Sequence, residues 1–318
     1  MKLAAFAIAV AALLSPASEA GAGGGSPIAL VTAETTNQLV AVALPSGWIV
    51  KRLGMPADPQ NVAVCGSTAA VVSVRAGAVT LVDASTLRIR RVLRGFASPH
   101  IPACSPDGHY IYVTDDARGQ LAVIGNRVLR KVFVGYGAHH IAVSPDQPRL
   151  WIALGEGARS ISVIDTTDSA RPRLIGHVDP RGLAHDLAFG PGSRRVWVTY
   201  DAGPRVRIFD AITQRPLKAL YGGAPPQHVA FNPYSKHDHA YVASGDDGTL
   251  RVFALPAARP ARTVRLRAGS FNVSTFGSFV ITSSLTHGTL TELSDSGRVL
   301  LNERVAPHAR DVAVAVVP

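Results

Sequence analysis

Histidines stand at the start of short apolar segments at several points along the chain. One segment reads "AHHIAVSPD" from Ala138 to Asp146, with two adjacent histidines in front of the apolar residues. Similar segments begin at His100, His185 and His228. Neutral imidazole is a common ligand for zinc, copper and nickel. If these segments lie side by side in the folded chain, their imidazoles can converge on one ion or ligand.

The histidine segments belong to an internal repeat. Four stretches resemble one another: "HIPACSPDGHYIYVTDD" from His100, "HIAVSPDQPRLWIALGE" from His140, "HDLAFGPGSRRVWVTYD" from His185 and "HVAFNPYSKHDHAYVASGD" from His228. Weaker copies begin at Asn61 and Asn272, and "DVAVAVVP" from Asp311 ends the chain. The alanine or serine common to these units recurs at positions 63, 103, 142, 188, 230, 274 and 313. A period of about 40 residues is typical of propeller blades.

Each unit has the composition of four short β-strands. An apolar run meets a turn such as "SPDG" (Ser105–Gly108), and a β-branched run such as Ile111–Thr114 follows. A polar loop then precedes a third run, such as "SISVID" from Ser160, and a basic fourth run, such as "RVLRKVFV" from Arg127. No stretch carries a convincing helical period. Four strands in about 40 residues predict one blade of a β-propeller.

Seven units predict an all-β fold, a seven-bladed β-propeller with four-stranded blades. The seventh unit holds only one strand before the chain ends, but strand-like runs precede the first unit at residues 28–34, 37–44 and 47–53. Pairing of these N-terminal strands with the C-terminal strand completes a blade and removes the open edge of the ring. The predicted domain spans residues 28–318.

The repeat resembles that of a known family. "SPDGHYIYVTD" (Ser105–Asp115) is similar to the signature of the YVTN-repeat propellers, which include the YncE-like proteins. The resemblance covers nearly all of the predicted domain. It departs at Tyr200 and Asp201, which stand where the signature has asparagine, and the unit at Asn272 lacks the Pro-Asp-Gly turn. It implies a seven-bladed propeller exported from a bacterial cell, and it says little about a reaction.

The N-terminus has the pattern of an export signal. Lys2 precedes an apolar run from Leu3 to Leu14, and Ser18-Glu19-Ala20 offers small residues for cleavage. We therefore expect a signal peptide over residues 1–20, a flexible leader over residues 21–27, and a periplasmic or extracellular location. A retained membrane anchor is the alternative, although the run is short and rich in alanine. No later segment is long and apolar enough to cross a bilayer, and we expect a monomer.

The propeller architecture predicts where the histidines lie. The first strand of each blade lines the central channel, so residues at its start form a ring at one mouth of that channel. The ring is strongly polar, and the ligand-binding residues that we predict there are His100, His139, His140, His185, Asp186, His228, Asn272, Arg310 and Asp311. Loops between the second and third strands open on the same face and carry Glu34, Asp115, Asp116, Glu156, Asp201, Asp246, Asp247 and His287.

Three interpretations of this ring are open. The histidines can be a packing device that each blade repeats, because an imidazole can hydrogen-bond the connecting loop. They can bind zinc or copper, with His140, His185 and His228 as the metal ligands and the other histidines of the ring and Asp186 as alternates. They can also combine with Arg310 and backbone N–H groups into a funnel for an anion or another small molecule.

The sequence favours a binding protein over an enzyme. No nucleophile–base pair or cofactor motif stands out, so no catalytic residue is predicted. The ring, in contrast, is a surface on which a small molecule, a protein or an acidic polymer could dock. The alternative is a metal-dependent, lyase-like enzyme acting at the same mouth, by analogy with virginiamycin B lyase, which is also a seven-bladed propeller.

The basic residues of the chain are unevenly distributed along the sequence. The formal net charge is +10, which favours acidic partners. Basic residues concentrate in predicted outer strands, at Arg88, Arg90, Arg91, Arg94, Arg127, Arg130, Lys131, Arg259, Arg262, Arg265 and Arg267. Charge on an outer strand also protects its edge from pairing with other strands. Nucleic acid is a weakly supported partner, because aromatic residues do not alternate with these arginines.

The two cysteines leave a further question open. Cys65 and Cys104 lie in the first strands of adjacent units, and alignment on Ala63 and Ala103 offsets them by one residue. An odd offset turns their side chains to opposite faces of their strands, as contact across the gap between two blades requires. A disulfide fits this arrangement. A pair of buried thiols also fits, because a disulfide needs a Cα separation below about 7 Å.

Overall fold

The chain folds into seven four-stranded antiparallel sheets arranged as the blades of a β-propeller, as the repeat predicts. The computed structural model describes residues 25–155, 159–223, 225–232 and 238–317. We name the blades A to G in chain order. The signal peptide expected over residues 1–20, residues 21–24 of the expected leader, and Glu156 lie outside the described residues.

Each blade is built from its inner strand outward. Blade A contains β28 (Ala309–Val317), β1 (Ser26–Ala33), β2 (Gln38–Ala43) and β3 (Ile49–Gly54), and blade B contains β4 (Pro59–Cys65), β5 (Thr68–Ser73), β6 (Ala78–Asp83) and β7 (Arg88–Arg94). Blade C contains β8 (Pro99–Cys104), β9 (Ile111–Asp115), β10 (Gln120–Ile124) and β11 (Val128–Phe133). Blade D contains β12 (Ile141–Val143), β13 (Arg149–Ala153), β14 (Ile161–Asp165) and β15 (Arg173–Val178).

The remaining three blades follow the same order. Blade E contains β16 (Ala184–Phe189), β17 (Arg195–Tyr200), β18 (Arg205–Asp210) and β19 (Pro216–Tyr221), with a short 3-10 helix at Pro191–Ser193. Blade F contains β20 (His228–Phe231), β21 (His239–Ser244), β22 (Thr249–Ala254) and β23 (Arg259–Arg265). Blade G contains β24 (Ser274–Phe276), β25 (Phe279–Ser283), β26 (Thr289–Ser294) and β27 (Val299–Arg304).

The ring is closed by the two ends of the chain. β1 pairs antiparallel with β28, from Ser26 opposite Val317 to Ala33 opposite Ala309. β1 begins at Ser26, two residues earlier than the strand expected from Ile28. Blade A is therefore a complete four-stranded sheet although its strands come from opposite ends of the sequence. None of the helices formed by the described residues has the length and hydropathy needed to span a bilayer.

Seven apolar clusters hold the blades together, one at each interface between neighbours. Successive side chains of a strand point to opposite faces, so the middle strands of a blade are buried on both sides. In β9, Tyr112 packs toward blade D, whereas Val113 packs toward blade B. The core is thus a series of apolar layers between neighbouring sheets, arranged around the axis of the propeller. The turns and loops at the two faces of the propeller remain available for binding.

The outer strands differ from the middle strands. In β7 the four residues from Arg88 to Arg91 are exposed. Several of the predicted basic residues of these strands bind groups of the protein itself: Arg90 bonds to Asp83, and the Lys131 ammonium donates to the Gly95 carbonyl at 3.0 Å. Basic side chains on these exposed edges oppose pairing with a strand of another molecule.

Cys65 and Cys104 form a disulfide that joins the inner strands β4 and β8, with a Cα separation of 5.4 Å. Of the two arrangements that the sequence left open, the bonded one is present. The offset of one residue turns the two side chains toward each other across the interface of blades B and C. The bond therefore links two blades directly at the wall of the channel.

Removing this disulfide is expected to destabilise the chain by about 4 kcal/mol, because the bond closes a loop of intermediate length in the unfolded state. The sequence separation of the two cysteines is 39 residues. The double variant Cys65→Ala/Cys104→Ala should show this loss of unfolding free energy in urea denaturation monitored by tryptophan fluorescence. Reduced wild-type protein is the matched control. Unfolding of the oxidised and reduced wild-type protein at the same urea concentration would contradict the prediction.

Candidate metal centre at the channel mouth

The strands nearest the axis position the candidate site. Each inner strand contacts the inner strands of the two neighbouring blades, so the seven form a continuous wall. His100 lies in β8, His139 and His140 directly precede β12, His185 lies in β16, and His228 begins β20. Four consecutive blades, C to F, therefore bring their histidines to one mouth of the channel, as the repeat predicts.

A β-bulge determines where the side chains at the channel mouth point. Consecutive residues of a regular strand point to opposite faces. In blade C, however, the register of β8 against β9 shifts so that Thr114 alone faces two residues, His100 and Ile101. The same shift occurs in blade E opposite Thr199 and in blade A opposite Thr32. A bulge re-aims side chains, which is how two neighbouring residues of one strand both reach the mouth.

The threonine opposite each bulge ties one blade to the next. The Thr114 hydroxyl accepts the Ile101 N–H at 3.0 Å and donates to the His139 carbonyl of blade D at 2.7 Å. Thr199 and Thr32 make the same two bonds in blades E and A, each reaching the backbone of the following blade. These hydroxyls fix the backbone that carries the ring residues.

Five imidazoles form a continuous cluster at the mouth. The ring centroid of His140 lies 4.6 Å from that of His185 and 4.8 Å from that of His228, and His185 and His228 are 5.7 Å apart. His100 stacks on His139, with centroids 3.6 Å apart and an interplanar angle of 17°. Two triads share His140: His100, His139 and His140, and His140, His185 and His228. In each triad one ligand atom per residue lies within 4.8 Å of the others.

Asp186 lies between two imidazoles of the cluster. Its carboxylate oxygens are 3.2 Å from Nδ1 of His140 and 3.8 Å from Nδ1 of His228. One of these oxygens also accepts the Val229 N–H at 3.0 Å, which anchors the carboxylate to blade F. Asp186 is buried, so its interactions with the two imidazoles are little screened by water.

Two further carboxylates face Nδ1 atoms from the loops between second and third strands. Nδ1 of His139 is 2.8 Å from Asp116 of the preceding blade, and Nδ1 of His185 is 2.6 Å from Asp201 of its own blade. The hydrogen bond with His185 lowers the pKa of Asp201, which keeps that carboxylate ionised. A carboxylate at Nδ1 fixes the tautomer and orientation of an imidazole and leaves Nε2 to bind a ligand.

Three histidines of the cluster, His100, His140 and His228, are held in the neutral form. Burial lowers the pKa of His100 and His140 well below the usual value of 6.5, and the neighbouring imidazoles lower it further. Burial lowers the pKa of His228 to about 4. The charge of Arg310 acts in the same direction on all three, although Arg310 itself donates to Glu34 at 2.9 Å. Neutral imidazole is the form that binds a metal ion.

The other half of the mouth is built from groups that join blades. Asn272 donates to the Asp311 carboxylate at 2.8 Å and to the Arg310 carbonyl, and Asp311 accepts the Val62 N–H of blade B at 2.9 Å. Burial raises the pKa of Asp311 to about 6. Asn272, Arg310 and Asp311 therefore lie at the predicted mouth, but the bonds of Asn272 and Asp311 are blade-to-blade contacts.

Sequence reasoning missed the role of the threonines and the pairing of the loop carboxylates. Thr32, Thr114 and Thr199 carry a visible signal, since each stands near the end of a second strand, in "LVTA", "YVTD" and "WVTY". Asp116 and Asp201 were expected on the loops of this face, yet nothing in the sequence indicates that Asp116 reaches the next blade whereas Asp201 stays within its own.

The chain resembles known proteins in structure rather than in sequence. No protein-family model matches it, and no curated protein matches it in sequence. A functionally unknown protein from Desulfotomaculum acetoxidans superposes with a TM-score of 0.76 at 14% identity, over 91% of this chain and 98% of the other. Apo AztD from Citrobacter koseri superposes with a TM-score of 0.73 at 12% identity, over 92% and 98% of the two chains.

An enzyme subunit is also among the similar structures. A chain of Kuenenia stuttgartiensis hydrazine synthase superposes with a TM-score of 0.67 at 15% identity, over 81% of this chain and 95% of the other. Since the same fold hosts different activities, likeness at such low identity shows the fold and not the function. Together with the strand order, these likenesses identify the chain as a seven-bladed β-propeller.

Proposed function

We propose that this chain is an exported propeller of the YVTN type that binds a transition-metal ion, zinc or copper, at the channel mouth through His140, His185 and His228. One observation carries the proposal: each of the three imidazoles has its Nδ1 atom facing a buried or half-buried carboxylate. Metal-bound histidines almost always have such a partner on their second nitrogen. Packing alone does not require Nε2 to remain available on three neighbouring rings.

The ring orientations favour this triad over the other. A metal ion lies close to the plane of each imidazole that binds it, because the nitrogen lone pair lies in that plane. The planes of His140 and His228 cross at 75°, as do those of His185 and His228. Planes that cross at large angles can meet at one ion. The rings of His100 and His139 are nearly parallel, so they do not meet at a common ion in this arrangement.

Binding is better supported than catalysis. Three histidine ligands leave a fourth position of a tetrahedral ion for water or another ligand. A reaction there would also need a general base within reach. The described carboxylates of the mouth loops already have partners: Glu34 with Arg310, Asp115 with the Ala97 and Ser98 N–H groups, Asp116 with His139, Asp201 with His185, Asp246 with Gln227, and Asp247 with Arg251.

A metal-dependent, lyase-like enzyme at the same mouth is the second candidate. The open fourth position favours it, because an ion held by the three histidines would lower the pKa of a water molecule bound there. Turnover of a substrate that requires zinc and is lost in His140→Asn would replace the binding proposal with this one.

The setting of the site completes the proposal. The disulfide between Cys65 and Cys104 supports an oxidising location, periplasmic or extracellular, since cytosolic thiols are kept reduced. We infer a monomer, with residues 1–20 as signal peptide and residues 21–27 as leader. The partner that supplies or receives the ion is a small molecule or a protein docking on the histidine face. The basic outer strands suit an acidic polymer.

Elemental analysis tests the proposed function. Purified chain loaded with zinc or copper and then dialysed extensively is expected to retain close to one ion per chain. The control is the triple variant His140→Asn/His185→Asn/His228→Asn, because the side-chain amide of asparagine reaches about as far from the backbone as the Nδ1 atom of histidine. Retention below about a tenth of an ion per chain by the wild-type protein would overturn metal binding in favour of a packing role for the histidines.

A further inference from the structure

We propose that the histidine cluster offers the ion two overlapping positions that share His140, so that one ion is bound at a time and passes between the positions without leaving the mouth. The first position is the triad of the proposed function, on which this inference rests. The second consists of His100, His139 and His140, whose ligand atoms also lie within 4.8 Å of one another.

The two positions exclude each other because of His140. A histidine can hold two ions only by bridging them with both ring nitrogens. Nδ1 of His140 faces the Asp186 carboxylate at 3.2 Å, and both groups are buried. Only Nε2 is then available, and its one lone pair serves one ion. The cluster has five imidazoles but capacity for a single ion.

The second position requires one ring to turn. His100 and His139 are stacked 3.6 Å apart at 17°, so their nitrogens cannot both reach an ion near His140 as they stand. His100 is buried, with 9% of its surface exposed, whereas the side chain of His139 is 26% exposed. His139 bonds to Asp116, whose side chain is 34% exposed. His139 is therefore the more accessible of the two rings, and occupation of the second position requires it to break its bond with Asp116 and turn.

The geometry also links the two positions in space. The centroid of His139 is 6.2 Å from that of His185, and His140 lies between the two triads. An ion that keeps its bond to His140 can exchange His185 and His228 for His139 and His100. Loading and release by this route avoid a step in which the ion has lost all protein ligands.

Titration of the purified full chain with Co²⁺ or Zn²⁺ in the presence of a competing chelator tests the inference. Saturation is expected at one ion for the wild-type chain and at one ion with weakened affinity for His185→Asn/His228→Asn. For His140→Asn, binding is expected to be too weak to compete with the chelator. His109→Asn, a histidine in a cleft beside Cys65, is the matched control and should keep wild-type binding. Thermal unfolding of each variant establishes that it is folded.

A kinetic measurement tests the passage between positions. In His100→Asn/His139→Asn, saturation is expected to stay at one ion, while loading and release to a chelator slow relative to the wild-type chain. Two ions in the wild-type chain, no ion in His185→Asn/His228→Asn, or unchanged rates in His100→Asn/His139→Asn would each overturn the inference and leave the proposed function standing. No ion in the wild-type chain would remove both.

Discussion

Replacing His140 with asparagine is expected to lower the affinity of the chain for zinc by about 1,000-fold, or about 4 kcal/mol. A structural zinc site contributes about 10–16 kcal/mol, so the loss of one of three protein ligands removes roughly a third of it. Asparagine retains a donor for Asp186, which limits the damage to packing. Isothermal titration of the zinc-free chain measures the effect directly.

A series of variants with graded effects distinguishes the metal ligands from the residues that orient them. Asp186→Asn is expected to lower zinc affinity by about 10- to 100-fold, because the carboxylate orients His140 and His228 without binding the ion. His109→Asn should leave the affinity unchanged. An equal loss for His140→Asn and His109→Asn, or no loss for either, would contradict the assignment of the site to this cluster.

The metal-free chain is expected to lose stability steeply as the pH falls from about 6.5 toward 4. His100, His140 and His228 have pKa values below 6.5 in the folded chain, chiefly because of burial, and that of His228 is about 4. Between these pH values the unfolded chain binds protons that the folded chain does not, so protonation favours unfolding. The stability present above pH 6.5 is lost as the pH decreases.

Two carboxyl groups oppose this loss. Burial raises the pKa of Asp311 to about 6 and raises that of Glu292, so the folded chain binds their protons more readily than the unfolded chain does. Near pH 5.5 the unfolded chain binds about three more protons than the folded chain at these histidines, and the folded chain binds about one more at Asp311. The net difference of about two protons gives the unfolding free energy a slope of about 3 kcal/mol per pH unit. Glu292 reduces the slope further toward pH 4.5.

Urea denaturation in EDTA across this pH range measures the slope. His228→Asn should lower this slope by the contribution of about one proton, whereas His109→Asn should leave the slope unchanged. Unfolding free energy that is constant or that increases on acidification would show that burial does not hold His100, His140 and His228 in the neutral form.

The architecture was predictable because the turn residues, the runs of strand length and the internal repeat all indicate the same fold. Turn residues separate runs of strand length in each unit, and residues 28–53 supply the strands that the last unit lacks. The convergence of the five histidines followed from their common register in the repeat. The disulfide did not follow, since the distance between Cys65 and Cys104 depends on how closely blades B and C pack, which no local pattern encodes.

The detailed geometry of the site was beyond the sequence for a physical reason. Strict alternation along a strand would send His185 and Asp186 to opposite faces, and only the bulge opposite Thr199 changes this. Bulges depend on the pairing of two strands rather than on either one alone. The same holds for the carboxylates, because a loop residue such as Asp116 reaches His139 through the spacing of two blades.

The five histidines of the cluster lie on one arc of the mouth. Blades C to F contribute them, while Asn272, Asp311 and Asn61 of blades G, A and B are used in bonds between blades. Equivalent positions of the repeat thus share a backbone but not a role. Substitutions on the arc of blades C to F can therefore alter the proposed ion site without disturbing the contacts by which the two ends of the chain close the ring.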